Sequence, residues 1–355
     1  MSGEAETLPW PAPQERADLR GHAGAEQQVL DAWNAGRMPH AWLITGPKGV
    51  GKATLAYRIA RFALAGGGDG GGLFGGSPET LHLDADTGTF RRVAAGSHAD
   101  LTVLACETDA KTGRMRKVIT VEQARGLLHR FAMTAGEGGW RVAIIDTVDD
   151  MNPSAANALL KLLEEPPPRC LLLLLADAPG GLLPTIRSRC RRLTLRPLAD
   201  ADVAALVLAA VPEAEDGMAG ILRLAQGSPG RAMRLAAGGG AQLHADLVGL
   251  VDPMIRPGNR LDLGGAYAMG ERFQRPDGLE AFILAFEVLA DWLAGHARAV
   301  VTGTDEGPGP GRLAPWIALW EKTRWLADRT EAVNLDRRQA FVGLLTEIER
   351  TAHGG

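Results

Sequence analysis

Cysteine is scarce: Cys106, Cys170 and Cys190 are the only three in 355 residues, and they lie far apart. They match no metal spacing and no disulfide framework, so reduced thiols of a cytoplasmic protein are expected, with no zinc or other metal site. Long apolar runs are missing as well. None approaches the ~20 residues that a membrane-spanning helix requires. Met1 to Arg20 is acidic and Pro-rich, without an apolar stretch flanked by basic residues, and no secretory signal is expected there. Excess positive charge is also lacking. The formal net charge of −4 argues against a generally basic nucleic-acid coat and leaves only local patches. Tyrosine and lysine are rare while glycine numbers 45, which looks like GC-rich codon usage and carries no function.

What remains is ample for folding. Hydrophobic residues make up 46% of the chain and charged residues 23%, so real cores are available. A chain of this length suggests two or three domains. No internal repeat of fixed period is present.

The most telling segment also lacks something. Gly46-Pro47-Lys48-Gly49-Val50-Gly51-Lys52-Ala53-Thr54 fits the phosphate-loop spacing G-x-x-x-x-G-K, but Ala53 stands where a Ser or Thr hydroxyl should hold Mg²⁺. Thr54 comes one position late and faces a different side of the helix. The context is right: the apolar run Ala41–Thr45 leads in, and Leu55, Ile59, Phe62 and Ala63 follow at helical spacing. A strand, a glycine loop and a helix N-terminus in that order suit phosphate. Residues 65–78 then read as a Gly-rich insertion.

Further strands and helices alternate. Residues 101–106 read as a second strand. Lys111, Arg114, Arg116 and Lys117 form a basic cluster in an expected hairpin loop, either merely solvated or touching DNA. Thr120-Val121-Glu122-Gln123 is a capping box for a helix through Leu127, Leu128 and Phe131. An apolar strand over residues 140–146 ends in Asp146. A carboxylate there can serve a hydrated Mg²⁺, but Thr147 follows where a glutamate would polarise water. Asp149 and Asp150 read as first-turn helix charge. Asn152 and Pro153 open a helix that stops before Pro166, Pro167 and Pro168. Residues 171–175 are apolar without alternation, as in a parallel strand buried on both faces. The pattern predicts a doubly wound α/β domain. Beyond it come short helical patterns to Ala237, then helices expected near 242–251, 277–299, 314–332 and 337–351. Trp316 and Trp320, one turn apart, read as core or interface packing.

Arg189, in Ser188-Arg189-Cys190 before an edge strand, could make an ordinary surface ion pair or project toward a neighbouring subunit's γ-phosphate. Two longer segments decide between such options. Asn157-Ala158-Leu159-Leu160-Lys161-Leu162-Leu163-Glu164-Glu165-Pro166-Pro167 and Pro184-Thr185-Ile186-Arg187-Ser188-Arg189-Cys190 resemble the signature of bacterial clamp-loader AAA+ subunits. Gly21-His22 resembles that family's segment near the adenine pocket, and Gly36–Ala41 its approach to the first strand. The resemblance spans roughly residues 20 to 235.

The resemblance implies an α/β AAA+ domain over residues 1–198, a doubly wound parallel sheet with a P-loop. A small helical lid over 199–238 and an all-α collar over 239–355 would follow. Within the family, ATP-hydrolysing motor subunits of the gamma/tau type carry Lys-Ser/Thr, Asp-Glu and Gly-Ser-x-Arg. This chain has Lys52-Ala53, Asp146-Thr147 and Gly227-Ser228-Pro229-Gly230, with Arg231 one place late. The four-cysteine zinc knuckle of many relatives is missing between Ala65 and Ala99. Losing catalytic parts while keeping Arg189 fits the family's non-hydrolysing stator class, with the motor class as the alternative. The expected partners are gamma/tau motor and delta subunits, with the sliding clamp and primed DNA reached through the complex. ATP with Mg²⁺ is expected to bind weakly or nonproductively at Gly46, Gly49, Gly51, Lys52, Ala53, Thr54 and Asp146. Arg189 is expected to act in trans, and the isolated chain to show little or no ATPase or polymerase activity.

Overall fold

The computed structural model describes residues 10–67, 77–106, 118–133, 135–237, 239–256, 258–275, 278–302, 313–332 and 335–353. The basic cluster from Lys111 to Lys117 and most of the Gly-rich insertion lie outside these. The chain divides into two compact units, Met1–Ala210 with Gln226–Arg231, and Val211–Ala225 with Ala232–Gly355.

The first unit is built on β1 (Ala41–Thr45), β2 (Leu101–Ala105), β3 (Arg141–Asp146), β4 (Cys170–Ala176) and β5 (Arg191–Thr194). All pair in parallel, in the order β2-β3-β4-β1-β5. Every residue of β1 and β4 is buried, because helices cover both faces of the sheet. One face carries Ala41, Leu43, Ala143, Ile145, Leu172 and Leu174, which pack with Leu127 and Phe131 of α4 (Val121–Ala132) and Leu159, Leu162 and Leu163 of α5 (Pro153–Glu164). Alternation along the strands sends Trp42, Ile44, Leu171 and Leu173 to the other face. On that side α2 (Lys52–Leu64) packs against β1, β3 and β4, with α3 (Gly88–Ala94) beside it. This is the AAA+ α/β fold that the resemblance implied.

Local chemistry sets the helix starts. Thr120 and Gln123 exchange hydrogen bonds in the expected capping box, and Asn152 Oδ1 accepts the Ala155 N–H at 2.8 Å. Trp33, on α1 (Ala23–Asn34), packs edge-on against Phe62 at 5.0 Å and beside Trp140 at 5.4 Å. Buried Arg61 donates to the carbonyls of Gln14 and Arg16 and lies over the Phe90 ring. Burial and neighbouring Arg58 lower its pKa to about 10.

After β5 the described chain is helical. α6 (Pro184–Arg187) precedes that strand, and α7 (Asp200–Ala210), α8 (Met218–Ala225) and α9 (Pro229–Ala237) follow it. Then come α10 (Gly240–Met254), α11 (Leu263–Phe273), α12 (Gly278–Thr302), α13 (Leu313–Ala332) and α14 (Arg337–His353). Sequence periodicity missed α1, α3 and α11; α3 has only seven residues, and α11 carries Gly264, Gly265 and Gly270. Phe273, Phe282, Phe286 and Phe341 knit α11, α12 and α14 together. Trp316 is buried against His296 and Trp292, whereas Trp320 is half-buried beneath Arg324. Among the described residues, no helix is long and apolar enough to cross a membrane.

Candidate functional site

The phosphate loop sits where β1 ends and α2 begins, at the carboxyl edge of the parallel strands where α/β sheets place their ligands. Gly49 and Gly51 take φ of +78° and +113°, the left-handed region that favours glycine. Lys52 is 6% exposed and does not point out of the loop. Its Nζ donates to the carbonyls of Gly46 at 2.8 Å and Pro47 at 2.9 Å, and lies 2.5 Å from Asp177 Oδ1. Asp177 is the first residue past β4, the strand beside β1, and sequence reasoning overlooked it. The signal was available, because the residue after an apolar parallel strand belongs to the same carboxyl edge as Asp146.

Other neighbours also hold the loop. Ser228 Oγ donates to the Lys48 carbonyl at 2.8 Å, and the Gly230 N–H to the Gly49 carbonyl at 2.9 Å. A Cβ on Gly230 would lie 3.0 Å from Gly49 Cα, so only glycine admits this approach without a shift. The segment 227–230 is therefore a brace on the phosphate loop, a role its broken arginine motif did not reveal. Arg231 starts the chain onward, its N–H 3.4 Å from Ser228 Oγ. Buried His22 donates from Nε2 to the Val50 carbonyl at 2.9 Å, which places the Gly21-His22 segment against the loop.

Asp146 stands at the end of β3, inside this cluster. Burial, and secondarily the charges of Asp177 and Asp150, hold its carboxyl above the usual carboxylate range, against the pull of Lys52. Neighbouring Asp146 and burial also raise the Tyr57 phenol, burial being the larger cause. Thr147 Oγ1 donates to Asp150 Oδ2 at 2.9 Å, so the residue at the water-polarising position is a hydroxyl bonded elsewhere. Asp149 caps the chain after β4, accepting the N–H groups of Asp177 at 2.8 Å and Ala178 at 3.3 Å. Both aspartates lie in a short 3-10 turn, Val148–Asp150, rather than in the first turn of α5. Ala53 offers no hydroxyl, and Thr54 lies about 100° further round α2. These donors do not fit a productive Mg²⁺–nucleotide site.

A raised pKa means that the fold disfavours the charged form of Asp146. The sign follows: stability falls as pH rises from the unfolded carboxylate range through the raised folded value. Asp146→Asn is therefore expected to stabilise the protein at neutral pH. Urea midpoints for both proteins should converge as pH falls into the ordinary carboxylate range. A gap that widens there would contradict this.

The three thiols are free; burial raises Cys170 and Cys190 to about 12, and burial with Asp150 raises Cys106 to about 11. Thiols with such values are poor nucleophiles at neutral pH.

Arg189 lies elsewhere. It follows α6 and precedes β5, whose first residue pairs with Trp42 near the start of β1. The phosphate loop leaves β1 at its other end, after Thr45. Three strand residues, roughly 10 Å, separate those levels before either loop begins. Arg189 Nη1 donates to the Thr185 carbonyl at 3.0 Å, and Nη2 meets Glu164 Oε1 at 2.9 Å with both side chains partly exposed. Glu164 ends α5, on the same amino edge of the sheet. Topology thus sets Arg189 apart from its own Gly46–Lys52 loop.

The family described as DNA polymerase III, delta subunit, matches residues 21–199. A delta' subunit of DNA polymerase III from Pseudomonas aeruginosa is 32% identical over 286 residues, covering 80% of this chain and 80% of that protein. A delta' subunit from Escherichia coli K12 is 30% identical over 221 residues, 62% of this chain and 61% of that protein. A DNA polymerase III tau subunit from the same organism is 30% identical over 186 residues, covering 52% of this chain and 26% of that protein.

Proposed function

Because the chain belongs to the family described as DNA polymerase III, delta subunit, we propose that it serves as a delta-prime-type subunit of a bacterial clamp loader. In this role it is a stator that lends Arg189 to a neighbouring motor subunit and hydrolyses no ATP itself. One observation carries the proposal: Arg189 is retained on the amino edge of the sheet, remote from a phosphate loop whose own lysine is engaged by Asp177.

The guanidinium suits the task. It is planar, permanently charged, and presents a fork of donors that matches phosphate oxygens. At a neighbour's site it would neutralise charge as the γ-phosphoryl leaves. Its present bond to Glu164 is a partly exposed ion pair, and such pairs contribute about 0–1 kcal/mol, so exchange for a phosphate is cheap. The partners in this scheme are gamma/tau motor and delta subunits, with the sliding clamp and primed DNA engaged through the complex in the cytoplasm. Substituting Arg189 in the assembled loader tests the role directly.

A gamma/tau-type motor role is the alternative, favoured by the shared family signature and by the similarity to a tau subunit. Ala53, Thr147 and the Lys52–Asp177 pair speak against it. The purified chain is expected to hydrolyse ATP no faster than a buffer blank. Turnover at a motor-like rate, lost in Lys52→Ala, would refute the stator role.

A further inference from the structure

We infer that Asp177 is an internal stand-in for phosphate, closing this chain's own loop to nucleotides by occupying Lys52. The inference concerns the loop at the carboxyl edge of the sheet and does not depend on Arg189 acting in trans.

An ammonium has three N–H donors and no acceptor. Lys52 Nζ has three oxygens within hydrogen-bond distance, the carbonyls of Gly46 and Pro47 and the Asp177 carboxylate. An arriving phosphate would have to displace at least one of them, and the charged one is the strongest. Asp177 itself is held in place, since Asp149 accepts its backbone N–H and that of Ala178. An arriving polyphosphate would also meet the uncompensated negative charge of a displaced Asp177 beside Asp146. Loop rearrangement is restrained from a second direction. Ser228 and Gly230 bond the carbonyls of Lys48 and Gly49, with Gly230 in backbone contact with Gly49. Missing metal ligands alone would weaken a nucleotide complex, whereas the Lys52–Asp177 pair removes the anion's principal cation as well.

Asp177→Asn keeps the side chain's size and removes its charge. Calorimetric titration of the full-length chain with pyrophosphate, and with ATP in the absence of Mg²⁺, should show tighter binding in Asp177→Asn by about ten- to hundredfold, the worth of one charge-assisted hydrogen bond. The gain should vanish in the double variant Asp177→Asn/Lys52→Met. Equal affinity in wild type and Asp177→Asn would overturn the inference, and so would a gain that survives loss of Lys52. A measurement on the unsubstituted chain covers the case in which the variant does not fold. Lysine acetylation followed by mass spectrometry should label exposed Lys48 well before Lys52; equal labelling rates would equally overturn it.

Discussion

In a loader assembled with Arg189→Ala, ATP turnover at the motor site facing this subunit is expected to fall by on the order of 10³, with assembly unchanged. The size reflects what a guanidinium supplied in trans contributes to phosphoryl transfer, where the protein stabilises charge that develops only as the phosphate departs. Assembly should survive because Arg189 lies partly exposed, tied among the described residues to Glu164 and to the Thr185 carbonyl. Removing such a surface pair changes stability little. Arg189→Lys should recover only part of the rate, since lysine restores the charge but not the fork of donors. Glu164→Gln provides the complementary control: it frees the guanidinium without removing it and should leave turnover near wild type. The readout is single-turnover ATP hydrolysis beside size-exclusion analysis of the complex. An undiminished rate in an intact Arg189→Ala complex would sink the role.

Trp42→Ala should cost about 4 kcal/mol, the largest loss expected from a single side chain in the first unit. Trp42 is fully buried in β1, flanked by Leu173 on β4 and Arg191 on β5. The Arg191 guanidinium lies 5.0 Å above its ring, which adds a cation–π contact to the loss of packed area. The indole Nε1 is buried without a hydrogen-bond partner among the described residues, so removing it gives back a little of that cost. For a unit near 200 residues the melting temperature should drop by about 10 °C. Calorimetry resolves this, because two compact units need not unfold in one transition. The transition assigned to the second unit should be unmoved; a shift of both by equal amounts would show that the two unfold together.

Much of the fold could be read from the sequence, and particular residues show why. Residues 171–175 needed no alternation to be recognised as a central strand, because parallel sheets are covered on both faces and β4 is buried throughout. Thr120 and Asn152 announced their helices because a cap is a local bargain between a side chain and a backbone N–H three residues away. Three helices escaped: α1 outright, α3 because seven residues are too few to show a period, and α11 because its glycines blur the periodicity. Asp149 and Asp150 looked like helix-initiating charge, but Asp149 reaches across to the end of β4, a pairing that only the sheet brings about.

The sequence by itself determined the loop that could cradle phosphate, the hydroxyl lacking at Ala53, the inert Thr147 and the survival of Arg189. Each is a matter of residue type at fixed spacing, legible without coordinates. Tertiary structure alone decided what those parts do to one another. Lys52 and Asp177 are 125 positions apart, and Lys48 and Ser228 are 180, so no local rule connects them. The parallel sheet joins the first pair, because it aligns the carboxyl ends of β1, β3 and β4 on one edge and sends Arg189 to the other. The second pair forms where the 227–230 segment lies on the loop. Pairing is a property of that shared edge, and charges meet there whatever their separation along the chain.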